Sequence, residues 1–113
     1  MELKFKKEEE ITIAEMSGDI DGASAAQIQT AILELDNGAP GSKILLNMTD
    51  VPYMSSAGLR MLLSVSRQIK SMEGELVLVG VSEEIKDVME MTGFLPFFVL
   101  AANIDEGIAT LKQ

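Results

Sequence analysis

The sequence predicts an α/β domain: a mostly parallel central sheet of about five strands with an antiparallel first strand and about four helices. Three observations lead there. Two segments at the start alternate apolar and polar residues. Three short, nearly continuous apolar runs follow. Stripes of apolar residues at helical spacing separate those runs. Strands alternating with helices bury both faces of a parallel sheet, and the crossovers between them are expected to be right-handed.

The elements follow in order. Leu3 and Phe5 alternate with Lys4 and Lys6, and Ile11 and Ile13 with Thr12 and Ala14, in a run reaching Met16. Period-two alternation marks strands with one buried face. Lys7-Glu8-Glu9-Glu10 suits the hairpin turn between them. Ile28, Ala31, Ile32 and Leu35 then form one helical stripe, ended by Asn37-Gly38 and Pro40-Gly41. Ile44-Leu45-Leu46-Asn47-Met48 reads as a strand covered on both faces. Thr49 to Met54 reads as a loop, because Pro52 cannot donate to a ladder and restricts Val51.

Ser55-Ser56 opens a helix, with Leu59, Leu62, Leu63, Ser66 and Ile69 at helical spacing before Gly74 breaks it. Leu76 to Val81 is another buried strand. Ser82 caps a helix with Glu83 and Glu84 in its first turn, where carboxylates favour the positive dipole end. Ile85, Val88 and Met89 form its inner stripe. Phe97-Phe98-Val99-Leu100 reads as the last strand, and Ile104, Ile108 and Leu111 stripe a final helix. No repeat or linker divides the chain, so residues 1–113 read as a single domain.

Composition narrows the function. Of 113 residues, 47% are apolar and 24% charged, which are globular proportions. Nine Lys and Arg against eighteen Asp and Glu give a net charge of −9. Such a surface repels phosphate backbones and anionic lipid, so no nucleic-acid partner is expected. No apolar stretch approaches a membrane span, and Met1 to Lys7 lacks a signal peptide's apolar core. No direct membrane insertion and a cytoplasmic location are expected. The chain has no Cys and no His, which removes thiol nucleophiles, His general bases and Cys-type zinc sites.

Three constellations remain. Asp19-Ile20-Asp21-Gly22 could hold Mg²⁺ and present a carboxylate nucleophile, or it is a strand–helix turn whose aspartates bond local amides. It is no calcium loop: counted from Asp19, position 6 is Ser24 and position 12 is Thr30, where Gly and Glu are needed. Asp50 and Ser55-Ser56 lie beyond the carboxyl end of a buried strand, where open parallel sheets place their sites. A serine there is either a helix cap or a phosphorylation acceptor, since a phosphate would meet unpaired amides and the positive dipole end. Finally, Met61, Val65 and Met72 widen the apolar arc of the Ser56 helix, either as deeper core or as an adaptable docking face. Arg60 and Arg67, at i and i+7, share a face of that helix as solvated charges or as ion-pair donors to a partner.

These residues resemble the STAS domain, the family of sulfate transporters and anti-sigma factor antagonists. The resemblance runs over nearly the whole chain. It is carried by Ser17-Gly18-Asp19-Ile20-Asp21, by Ile44 to Asn47, by Val51-Pro52-Tyr53-Met54-Ser55-Ser56-Ala57-Gly58-Leu59-Arg60-Met61-Leu62-Leu63, by Gly74 to Leu78 and by Met91 to Phe94. It implies a single STAS-like domain acting as a non-enzymatic switch with no cofactor and no metal. In bacterial antagonists of this family a serine kinase that is also an anti-sigma factor phosphorylates one serine. The unmodified antagonist binds that kinase and frees a sigma factor, and a serine phosphatase resets the modified form. The family motif Asp-Ser-Ser/Thr/Ala-Gly-Leu, registered on Gly58-Leu59, puts the phosphorylated serine at Ser56, with Ser55 a second candidate where the family has Asp. Asp19, Asp21, Asp50, Ser55, Ala57, Gly58, Arg60 and Met61 are the implied partner contacts. The resemblance also admits an alternative, a non-phosphorylated scaffold subunit of a membrane-associated complex of the lipid-transport type.

Overall fold

A computed structural model describes residues 1–113. The chain runs β1 (Glu2–Glu8), β2 (Ile11–Ser17), α1 (Gly22–Leu33), β3 (Lys43–Asp50), α2 (Ser56–Ser71), β4 (Glu75–Val79), α3 (Glu83–Met91), β5 (Val99–Ala101) and α4 (Ile104–Leu111). Short 3₁₀ turns at Leu35–Gly38 and Leu95–Phe97 complete it. One sheet holds all five strands in sequence order. β1 pairs antiparallel to β2, and β2 to β5 run parallel. The predicted fold class is the one observed.

Strand order steps once in one direction from β2 to β5, so crossovers of one hand put α1, α2 and α3 on the same face. A cluster of 21 buried residues fills that face, drawing Ile44, Leu46 and Met48 from β3 and Leu76 and Leu78 from β4. The alternate residues Leu45, Val77 and Val79 point the other way, with Ile11 and Ile13, into a second cluster of 6 under α4. There the helix sits close. A Cβ on Gly107 would lie 2.7 Å from Leu45 Cδ1 and 2.9 Å from Val79 Cγ2.

Several boundaries differ from expectation. β3 continues through Thr49 to Asp50, because Ser17 of β2 pairs with Asp50 beyond an irregularity in the register. The last strand is Val99–Ala101, not Phe97 to Leu100. Pro96 sits in the Leu95–Phe97 turn, which the Phe98 amide closes on the Leu95 carbonyl (3.1 Å), so the chain is extended only after it. α1 stops at Leu33, and Leu35 belongs to the 3₁₀ turn, in which Asp36 and Asn37 take left-handed conformations. Met61 (5% exposed) and Val65 (0%) are core residues. α2 packs against both the sheet and α1, which demands a wider apolar arc than a helix covering a sheet alone.

Candidate functional site

The carboxyl end of the sheet is stitched together by backbone. The Gly18 amide donates to the Asp50 carbonyl (3.0 Å), Ile20 to Tyr53 (3.0 Å), and Ser55 back to Ile20 (2.8 Å). Ile20 and Met54 form a parallel bridge beyond the named strands. The Gly18–Asp21 segment and the Val51–Ser55 segment therefore act as one platform, and α2 starts from it. Ile20 is fully buried beneath.

α2 packs onto that platform through Gly58. A Cβ there would lie 2.6 Å from Met54 Cγ, 2.8 Å from Ile20 Cγ2 and 3.3 Å from the Ile20 carbonyl oxygen. This is the physical reason for a glycine two residues after Ser56: the first turn of α2 lies too close to the Met54 and Ile20 side chains for a Cβ, with the Ile20 carbonyl just behind them. Gly58 is buried, so it shapes the site from beneath and is withdrawn from the expected partner contacts. Met61 is withdrawn for the same reason, its side chain being committed to the main core.

The two serines divide the work at the start of α2. Ser55 is the N-cap, half-buried and extended (φ −76°, ψ 171°), and its hydroxyl oxygen accepts from the Gly58 amide at 3.2 Å. Its carbonyl takes the Leu59 amide at 3.0 Å. Ser56, the first helical residue, is exposed. Ser, Asp and Asn cap helices about equally well, so Ser55 holds this helix start as an aspartate would. No acidic residue occupies the first turn of α2. No carboxylate of α2 itself offsets its positive dipole end, which carries the exposed Ser56.

The three aspartates are exposed around this platform. Asp21 caps α1: its carboxylate accepts from the Ser24 amide (3.0 Å), and the Ser24 hydroxyl accepts from the Asp21 amide (2.8 Å). This closed capping box holds the Asp21 carboxyl below its ordinary pKa, chiefly through the Ser24 amide and then the Ser24 hydroxyl. Asp19 precedes Ile20 in the same segment. Asp50 ends β3, and its side chain borders a shallow polar cleft with Lys4 and Ser17 of the first hairpin. No group of three or more acidic side chains converges as a metal site would require. Ala57 is half-buried and Arg60 exposed one turn along α2. Tyr53, which sequence reasoning did not single out, stands 57% exposed on the platform. Its signal was an aromatic directly after a proline in a predicted loop.

The STAS domain family signature matches residues 2–107. The chain belongs to the STAS domain family. Over 113 residues it is 32% identical to BtrV of Bordetella bronchiseptica, a candidate anti-sigma factor antagonist by name, covering 99% of this chain and 96% of BtrV. Among solved structures, TM1081 of Thermotoga maritima, also named as a candidate antagonist, superposes with a TM-score of 0.87 at 18% identity, covering 98% of this chain and 95% of that one. The Bacillus antagonist SpoIIAA is similar in both its unphosphorylated and phosphorylated forms, each with a TM-score of 0.71 over 96% of this chain, at 16% and 20% identity. The five-stranded mixed sheet with its four helices is the fold these STAS relatives share. No helix is long and apolar enough to cross a membrane.

Proposed function

We propose that this STAS domain is an anti-sigma factor antagonist that binds a serine-kinase anti-sigma factor when unmodified, frees a sigma factor by doing so, and is switched off by phosphorylation of Ser56. The observation that carries the reading is the division of labour at α2. Ser55 is engaged in capping, while the adjacent Ser56 hydroxyl is exposed at a helix start free of carboxylates. Full-length similarity to a protein named as an antagonist supports the partner class. The chain works by binding and supplies no catalytic group of its own; the kinase brings the nucleotide, and a separate serine phosphatase resets the switch.

A phosphate on Ser56 adds about −1.5 to −2 charges at one point. The α2 amides and dipole stabilise it in place, so the fold persists while the partner's contact is lost. Asp19 and Asp21, exposed on the platform segment joined to Ser55, together with Ala57 and, at the platform's margin, Asp50, would be the surface the kinase reads. The scaffold alternative lacks comparable support, because the full-length relative carries an antagonist's name.

The test is incubation of the purified protein with lysate of its native host and Mg-ATP, followed by intact mass and peptide mapping. One phosphate on Ser56, absent from Ser56→Ala, is the expected result. A phosphate on Ser55 moves the acceptor by one residue. No phosphate, in a lysate that modifies a control substrate, overturns the switch.

A further inference from the structure

The charges of this acidic chain are unevenly distributed over its helices. α3 carries Glu83, Glu84, Asp87 and Glu90 against one lysine. α1 carries no charge at all. α2 contains no acidic residue and three cations, Arg60, Arg67 and Lys70. Four ion pairs form in the molecule, Lys6–Glu15, Lys7–Asp36, Lys86–Glu83 and Lys112–Glu9, and none uses an α2 cation. Arg67 instead stacks its guanidinium over Phe97, 5.4 Å from the ring centroid, which fixes its direction without neutralising it.

These cations form a line with the switch residue. Ser56, Arg60, Ser64, Arg67 and Ser71 fall at i, i+4, i+8, i+11 and i+15, one stripe on the side of α2 away from the core, and all are exposed or half-exposed. The stripe from Ser56 to Arg67 is about 16 Å long at the helical rise. On a surface of net charge −9, an unpaired basic stripe that no carboxylate of its own helix offsets is complementary to an acidic partner.

We propose that the Arg60–Arg67 stripe of α2 docks an acidic element of the kinase, with Ser56 at the edge of the contact. The proposal rests on the functional reading above and adds the chemistry of the partner's surface. It also explains how phosphate acts at a distance from its own atoms. A phosphate on Ser56 stands one turn N-terminal to Arg60, the favourable orientation for an i, i+4 ion pair on a helix. It draws Arg60 away from the partner and sets a like charge before the partner's carboxylates.

The experiment measures binding of the purified host anti-sigma-factor kinase to wild type, Arg60→Gln/Arg67→Gln, Arg60→Glu/Arg67→Glu, and a charge-matched control at the opposite end of the sheet, Lys43→Glu/Lys112→Glu, at low and high salt. Far-UV circular dichroism and Tm establish that each variant is folded. The neutral pair is expected to lose about 5–10-fold and the reversed pair about 100-fold, while the control stays within about 3-fold of wild type. Added salt weakens wild type more than the neutral pair. Equal binding by wild type and the reversed pair overturns the proposal and leaves the functional reading standing. No binding by wild type overturns both. A wild-type dimer by sedimentation that the reversed pair dissociates, with kinase binding unchanged, overturns it in favour of a second copy seating its acidic α3 on the stripe.

Discussion

α2 and α3 start alike and then differ. Each follows a parallel strand, and each is capped by a serine hydroxyl 3.2 Å from the amide three residues on, Ser55 to Gly58 and Ser82 to Ile85. α3 fills its first turn with Glu83 and Glu84, whereas α2 has no carboxylate there and presents Ser56. A helix that only needs to be stable offsets its positive end with fixed negative charge. A helix that leaves that end bare can receive charge later. The difference is between a helix start that carries its own negative charge and one that, on the proposed function, a modification completes.

Installing the missing carboxylate has the largest expected effect. Ser56→Asp should weaken kinase binding about 100-fold, since like charge set against a partner costs several kcal/mol. It should also raise stability by about 0.3–1 kcal/mol, because the new carboxylate meets the bare dipole end. Isothermal titration and urea unfolding on one preparation check both directions. If stability falls with binding, the α2 start is not a bare dipole end and the contrast with α3 collapses.

Gly58→Ala tests the platform. The added methyl meets Met54 and Ile20 at under 3 Å, so a loss of about 1–3 kcal/mol in denaturant unfolding is expected. The equivalent position of α3, Ile85, already carries a large buried side chain, so the close approach of Met54 and Ile20, not helix geometry, sets the glycine. Ser55→Ala should cost about 1 kcal/mol, whereas Ser55→Asp should be near neutral, since both hydroxyl and carboxylate cap. A large loss in Ser55→Asp would show that the hydroxyl does more than cap.

Removing charge from α3 is a smaller perturbation. Glu83→Gln with Glu84→Gln should lower stability by about 0.5 kcal/mol and leave kinase binding unchanged. The smallest signal is at α1. The Asp21 carboxyl titrates below its ordinary value of 3.8 because the Ser24 amide and hydroxyl hold the charged form. Its stabilisation is present above that ordinary value and disappears as pH falls through the lowered folded pKa. Asp21→Asn keeps the cap and removes the titration, so wild type should lose its advantage over the variant on acidification; parallel pH profiles would disprove the coupling.

Much of this was open to reading from sequence. Period-two alternation, the apolar runs and the Ser caps specify strands and helix starts locally, so the element order and the mixed sheet followed from them. The Ser55–Leu59 motif marked the candidate site at the head of α2. Where the sequence misled or left alternatives open, the cause was tertiary. Phe97 looks like strand in a run of apolar residues, but the Pro96 turn holds it outside the ladder and Arg67 stacks on it. Met61 and Val65 widen an apolar arc that a docking surface and a second packing neighbour would widen equally. Only the seat of α2 against α1 distinguished them. The exposure of Tyr53 beside Ser55 became visible only once the platform that carries it was seen.

The sequence by itself determined the α/β class, the strand and helix order, the serine pair at the head of α2 and the acidic balance of the chain, because each depends on short-range spacing or on summed composition. Tertiary structure decided which serine caps and which is free, why Gly58 must be glycine, and that Arg60 and Arg67 go unpaired. Those properties depend on how closely segments far apart in the chain approach one another. The Ile20 backbone lies against the first turn of α2, and no carboxylate of another element reaches the α2 arginines.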